Sequence, residues 1–243
     1  LFTSVLEYYY DKNQIDKFEK LYGKTYIGKN PTKSKNSYSI LRFNFSGIDT
    51  SSEEATIKGF KNEVASSIEV FKCRYNVDFY VNKEDDAENI LNNLFKAFYV
   101  QKAQEKIYVI IDEYDHFANE LLGFNPEQFR ALVSKNGKVR KWYEILKKGT
   151  ETVVDRIFIT GVALITLDSL TSGFNIGTDI TQDVRFNEMM GFTKNELIEI
   201  LNSQDILKEE QEQILPIMKE NYDGYKFSLE AKNQIYNSNM CLY

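Results

Sequence analysis

Acidic side chains end a strongly apolar stretch of the chain, in the sequence IYVIIDEYD at residues 107–115. Mg²⁺ prefers oxygen ligands, keeps most of its waters, and takes one or two carboxylates together with phosphate oxygens. Asp112 would hold such a cation through water, and Glu113 would polarise an attacking water molecule. The pattern predicts the Walker B strand of a magnesium-nucleotide site. The alternative is an ordinary strand that ends in solvated acids.

A polar residue also ends a second apolar stretch, RIFITG, where Thr160 precedes Gly161. Ligands of parallel α/β sheets bind at the carboxyl ends of the strands. We therefore expect Thr160 at the same edge as Asp112 and Glu113, where it would sense the γ-phosphate and the attacking water. A strand-end hydroxyl that only caps a turn is the alternative.

Strands alternate with long helices along most of the chain. Helical periodicity over residues 1–22 places Leu1, Val5, Phe18 and Leu21 inward, and residues 28–37 read as a polar loop. Further helices are predicted near 57–71, 84–100 and 137–148, and strands at 37–47, at 107–112 and, as a second central strand, at 156–163. This order predicts a three-layer α/β fold, in which a parallel sheet lies between two layers of helices.

The C-terminal part of the chain lacks this alternation of strands and long helices. Residues 164–183 are irregular and rich in Thr, Ser and Gly, and such a long loop is usually functional. Thr193 and Glu196 then form a capping box that opens a run of short helices with no convincing strand. We expect a small helical lid over 193–243, after a core domain over 1–192.

The expected phosphate loop, GxxxxGK[ST], does not occur in a suitable place. Gly23-Lys24-Thr25 lacks the upstream glycine, since Phe18 stands there, and a helix precedes it where a strand is needed. Without those glycines the backbone amides cannot surround a phosphate. The opening LFTSVLEYYYD resembles the helix that follows such a triplet, so we expect the first strand and the phosphate loop upstream of residue 1.

Composition and residue spacing argue against nucleic-acid binding, a His-rich metal site, a membrane span and a nuclease site. A net charge of −6 gives no general attraction for nucleic acid, and a single histidine, His116, excludes a His-rich metal site. No apolar run reaches the length of a membrane span, no signal peptide opens the chain, and the default location is the cytoplasm. A PD-(D/E)xK nuclease site needs a Lys two residues after its acid, but Asp115 stands two residues after Glu113.

Several blocks resemble a known family. They are LFTSVLEYYYD at 1–11, SYSILRFNFSGID, YVIIDEYDHFANELL, ITGVALITLDSLTSGFNI, RFNEMMGFTKNEL and YDGYKFS at 222–228. In this order they resemble the predicted AAA-ATPase-like family of bacteria, whose members often carry a C-terminal PD-(D/E)xK nuclease-like domain. No such domain occurs within the 243 residues.

The resemblance implies an AAA+-type P-loop NTPase core, ATP and Mg²⁺ as cofactors, and a helical lid whose movement is coupled to hydrolysis. By position, Asp112 corresponds to the magnesium-binding acid, Glu113 to the catalytic acid and Thr160 to the sensor. Arg185 corresponds to a basic residue before the lid that would contact phosphate.

These residues would form half of an ATPase site, so we expect the 243 residues alone to bind ATP weakly or not at all. Nucleic acid would be bound only through a domain outside them. A nucleotide-free scaffold or protein-interaction domain is the alternative function.

Overall fold

The computed structural model describes residues 2–133, 137–162, 176–222 and 224–241, without the Val133 side chain. In chain order the elements are α1 (Phe2–Tyr10), α2 (Ile15–Tyr22), α3 (Tyr26–Lys29), β1 (Ser39–Asn44), α4 (Glu53–Tyr75), α5 (Ala87–Gln101), β2 (Ile107–Asp112), α6 (His116–Phe124), α7 (Pro126–Val133), α8 (Lys138–Gly149), β3 (Val154–Ile159), a 3₁₀ turn (Val184–Phe186), β4 (Gly191–Phe192), α9 (Lys194–Ser203), α10 (Lys208–Tyr222), β5 (Tyr236–Asn237) and α11 (Ser238–Cys241). None of the described helices is long and apolar enough to cross a membrane.

The main sheet is parallel, with the strand order β1-β2-β3. Asn44 of β1 pairs with Asp112 of β2, and Ile111 pairs with Ile159 of β3. The α/β class and the parallel sheet are therefore confirmed. The prediction of β3 as a second central strand is wrong for the described residues, because β3 pairs there with β2 alone and its Asp155 is exposed.

Helices pack against both faces of this sheet. One face contributes Phe43, Val109 and Ile111 to a large core shared with α4, α5 and α8. The opposite face contributes Ile40 and Ile110 to a smaller cluster that contacts α1. Successive strand residues face opposite ways, so Asp112, two residues after Ile110, stands on the α1 face.

Apolar residues at helical spacing form the buried faces of α4 and α5. Phe60, Val64, Ile68 and Phe71 of α4 have at most 2% exposure. Ala87, Ile90, Leu91, Leu94, Phe95 and Phe98 of α5 are buried as well. Helices α6 and α7 lie between the predicted elements, where no helix was predicted. Spacing of apolar residues by three and four thus identified the core faces of α4 and α5.

The predicted helix over 1–22 is interrupted. Residues 11–14 separate α1 from α2, because Asp11 pairs with Tyr38 as an isolated bridge and its Oδ1 accepts a hydrogen bond from the Asn13 amide. Such local side-chain bonds compete with helix formation. Phe18 is fully buried, but Leu21 is 51% exposed and not inward as predicted. Val5 is half-buried, and Leu1 lies outside the described residues.

The chain divides into two compact units, residues 1–177 and 178–243. The expected boundary at 192/193 falls inside the second unit. There β4 and β5 pair antiparallel, so the expectation that no strand follows residue 192 is wrong. Two-residue strands give too little alternation to be found from sequence. The capping box is confirmed, and the helix α3 overlaps the loop predicted at 28–37.

Candidate functional site

The Asp112 carboxylate is held on both of its oxygens. Thr160 Oγ1 donates to Asp112 Oδ1 at 2.7 Å, and Thr3 Oγ1 donates to Oδ2 at 2.9 Å. Arg42 Nη2 also donates to Oδ2, at 3.0 Å. The side chains come from β2, from the end of β3, from the first turn of α1 and from β1. Four elements thus converge on one carboxylate at the carboxyl edge of the sheet.

The strand pairing explains the contact with Thr160. The Thr160 amide donates to the Ile111 carbonyl at 2.9 Å, which extends the β2–β3 pairing by one residue beyond Ile159. Thr160 and Asp112 then lie side by side on neighbouring strands. The structure therefore brings together two of the residues that the sequence singled out.

The electrostatics of Asp112 favour the charged form. Burial raises the pKa of this carboxyl, but hydrogen bonds from Thr160, Thr3 and Arg42 together outweigh burial, and the pKa lies below its ordinary value of 3.8. Asp112 is thus an anion at neutral pH. Its Arg42 partner is a permanent cation.

Glu113 occupies an unusual backbone conformation. Its φ is +51°, in the left-handed region that non-glycine residues seldom adopt. The conformation costs about 1–2 kcal/mol, and such strain concentrates at functional sites. The side chain is 48% exposed, and its Oε2 lies 3.9 Å from His116 Nδ1. The turn after β2 therefore presents Glu113 to solvent beside Asp112.

Asp115 has a different environment from its two acidic neighbours. It is fully buried, and the Val162 amide donates to its Oδ2 at 2.9 Å and to its Oδ1 at 3.1 Å. Asn119 Nδ2 donates to Oδ2 at 2.8 Å. Asp115 joins the turn after β2 to the segment after β3. Within the described ranges no group of three His, Cys, Asp or Glu residues could hold a metal, so an acidic nuclease cluster is not found there.

Gly161 allows these two segments to approach each other. A Cβ at this position would lie 2.3 Å from Tyr114 Cε1 and 2.4 Å from Asp115 Oδ1. Both distances are far shorter than a van der Waals contact, so a side chain cannot fit without movement of its neighbours. The glycine after Thr160 is therefore required by packing.

Sequence reasoning missed Thr3 and Arg42. Arg42 offered a signal, since it is a charged residue within the buried strand SILRFN, and buried charges need partners. Arg42 Nη1 lies 3.4 Å from Glu7 Oε2, and Arg74 Nη1 lies 2.6 Å from Glu7 Oε1. The sequence contained no such signal for Thr3, because its role depends on which face of the sheet α1 covers.

A cavity of about 340 Å³ lies next to this charged network, between α1, β1 and α4. Glu7, Arg42, Asn44 and Arg74 are among the residues that line it. The Asp112 site thus borders an open space on the Arg42 side.

The remaining sequence features are Arg185 and the Gly23-Lys24-Thr25 triplet. Arg185 belongs to the second unit, where its Nη2 contacts Asp183 Oδ2 at 2.5 Å and 75% of its side chain is exposed. Its phosphate contact stays a prediction. Gly23 follows α2 and Thr25 precedes α3, so no strand leads into the GKT triplet, which confirms the reason for rejecting it as a phosphate loop.

The groups around Asp112 suit Mg²⁺, the cation that the resemblance implies, in all but one respect. Mg²⁺ takes one or two carboxylates and keeps several waters. The ionised Asp112 with the hydroxyls of Thr3 and Thr160 beside it fits a cation held through water. The guanidinium of Arg42 on Oδ2 is the one feature that opposes a second cation at this carboxylate.

The sequence model of one protein family, described as "Predicted AAA-ATPase", matches residues 1–171, which is more than two thirds of the chain. No curated protein and no solved structure matches the chain significantly. The matched region includes the parallel sheet, the helix α1 and the described residues that donate hydrogen bonds to Asp112. The chain belongs to the predicted AAA-ATPase family.

Proposed function

We propose that this chain provides the residues that bind magnesium and orient the attacking water in an ATP-hydrolysing site. The position of Asp112 is the main support for this proposal. This ionised carboxylate ends a central parallel strand and contacts both Thr160, at the end of the next strand, and Thr3, in the first turn of α1. Ligands of parallel sheets bind at this edge.

The N-terminal end of α1 supports a phosphate ligand here. The first amides of a helix lack partners within the helix and carry a partial positive charge, which attracts phosphate. The contact between Thr3 and Asp112 brings this end of α1 next to the carboxylate. A nucleotide phosphate bound by α1 would therefore lie close to a cation held at Asp112.

Each residue has a defined role in the proposed reaction. Asp112 would hold Mg²⁺ through water, and the cation would neutralise charge on the β- and γ-phosphates. Glu113, exposed beside Asp112, would accept a hydrogen bond from the attacking water and orient it towards the γ-phosphate. Thr160 fixes the Asp112 carboxylate and would sense the γ-phosphate.

Replacement of Glu113 by Gln in the full-length protein tests this proposal. We expect ATP hydrolysis to fall about 100-fold or more, while Mg-ATP binding persists, because the amide keeps the size of the side chain and loses the basic oxygen. Glu120→Gln is the matched control, since Glu120 contacts the same His116 at 3.5 Å and has no role in the mechanism. Unchanged turnover in Glu113→Gln would remove Glu113 from the reaction.

A nucleotide-free scaffold is the second candidate, and one observation favours it. Both oxygens of Asp112 already accept hydrogen bonds from the protein, and one donor is the cationic Arg42. Calorimetry of the full-length protein with ATP and Mg²⁺ separates the two candidates. Heat that saturates with ligand supports the ATPase, and no heat at millimolar ligand supports the scaffold.

A further inference from the structure

Arg42 occupies one oxygen of the carboxylate that is proposed to hold a cation. Its Nη2 lies 3.0 Å from Asp112 Oδ2 and 3.2 Å from Thr3 Oγ1. A guanidinium remains protonated at every pH at which a protein folds. Asp112 therefore already has a positive partner, and this partner would repel a divalent cation at the same carboxylate.

Glu7 offers Arg42 a second carboxylate. Glu7 Oε2 lies 3.4 Å from Arg42 Nη1, and Glu7 Oε1 lies 2.6 Å from Arg74 Nη1. The Glu7 side chain is 11% exposed, so its charge is shielded from water and depends on these two arginines. Arg42 thus lies between two anions, Asp112 on one side and Glu7 on the other.

The cavity beside α1 gives the Arg42 side chain room to move. Its volume is about 340 Å³, and both Arg42 and Glu7 line it. A closely packed interior would resist displacement of a guanidinium. Here the side chain has open space beside it and is already paired with Glu7 through Nη1.

We propose that Arg42 is an internal counterion of Asp112 that transfers to Glu7 when a divalent cation binds with its nucleotide. The inference rests on the proposed function, since it assigns Asp112 to the cation. Arg42 weakens the binding of a free cation, because two positive charges then share one carboxylate. A nucleotide supplies several negative charges, which offset this repulsion. The site therefore selects the cation-nucleotide complex over the free cation.

The test is a titration of the full chain with Mn²⁺ alone, followed by electron paramagnetic resonance. We expect Arg42→Gln to bind Mn²⁺ about tenfold more tightly than the wild type, because one positive charge next to the carboxylate is lost. Arg42→Lys keeps the charge and should stay within about twofold of the wild type. Mn²⁺ should also raise the melting temperature of Arg42→Gln more than that of the wild type.

Arg156→Gln is the matched control. It also removes one positive charge. Arg156 of β3 lies opposite Tyr108 of β2, which is four residues before Asp112, so Arg156 is about 13 Å from Asp112 along the strands. Equal Mn²⁺ affinities of Arg42→Gln and the wild type, including no measurable binding by both, would overturn the inference. Tighter binding by Arg156→Gln to the same degree would overturn it too, because the effect would then not depend on position.

Three further variants complete the test. Glu7→Gln should weaken Mn²⁺ binding, because Arg42 loses the carboxylate that receives it, and an unchanged affinity would contradict the transfer. Asp112→Asn separates the two proposals. If it abolishes Mn²⁺ binding while Arg42→Gln changes nothing, only the role of Arg42 fails. If Arg42→Gln/Asp112→Asn still binds Mn²⁺ as tightly as Arg42→Gln, the cation site itself is elsewhere and the proposed function fails.

Discussion

Replacement of Asp112 by Asn should lower the stability of the first unit. The change keeps the shape of the side chain but removes the charge that Thr160, Thr3 and Arg42 stabilise at 2.7, 2.9 and 3.0 Å. Hydrogen bonds to a charged group contribute about 1.5–3 kcal/mol, against 0.5–1.5 for neutral ones. The Asp112 side chain is 22% exposed and that of Arg42 32%, so solvent screens part of the difference. We expect a loss of about 1–2 kcal/mol.

Trp142 provides the assay. It is the single tryptophan of the chain, it lies in the first unit, and it is fully buried in the main core. Its fluorescence during urea unfolding at pH 7 therefore reports on this unit alone. Asp78→Asn is the matched control, because Asp78 is exposed, and such surface changes stay within about 0.5 kcal/mol.

The pH dependence follows from the lowered pKa. A carboxyl whose pKa is lower in the folded state contributes stability above its unfolded pKa and loses it as pH falls through the folded value. The difference between wild type and Asp112→Asn should thus persist down to about pH 5 and shrink below 3.8, the ordinary pKa of the group. A variant as stable as the wild type at pH 7, or a difference that grows towards acid pH, would show that the charge of Asp112 does not stabilise the fold.

Two further predictions concern the backbone around the site. Gly161→Ala should cost about 1–3 kcal/mol in the same assay, because the new methyl group would meet Tyr114 at 2.3 Å and Asp115 at 2.4 Å. Gly47→Ala, with no atom within 4 Å, is its control, and equal stability of the two variants would contradict the packing argument. Glu113→Gly should be about 1 kcal/mol more stable than Glu113→Ala, since φ is +51° there. Equal stability would show that the turn is not strained.

The main elements of the core could be predicted from sequence. Apolar residues spaced by three and four identified α4 and α5, and the apolar run before Asp112 identified β2 as a strand buried on both faces. These signals are local, because the helix and strand periods fix which side chains share a face. The break at Asp11 escaped prediction, because its pairing with Tyr38 joins distant parts of the chain.

Part of the candidate site could also be predicted from sequence, and part could not. Asp112 and Thr160 could be predicted to meet, because each ends an apolar strand and the ends of parallel strands share one edge. Thr3 and Arg42 lie 109 and 70 residues from Asp112 in the sequence. Neither stands in a motif that the chemistry requires.

Local sequence therefore identified the three strands of the parallel sheet, the acids that end β2 and the threonine that follows β3. Three features depend instead on tertiary packing: α1 covers the Asp112 face of the sheet, Arg42 lies on the same face, and Glu7 lies within reach of Arg42. The physical reason is that alternation along a strand is fixed by local backbone geometry. The partner of each face depends on the packing of the whole unit, and this packing gives Asp112 its counterion.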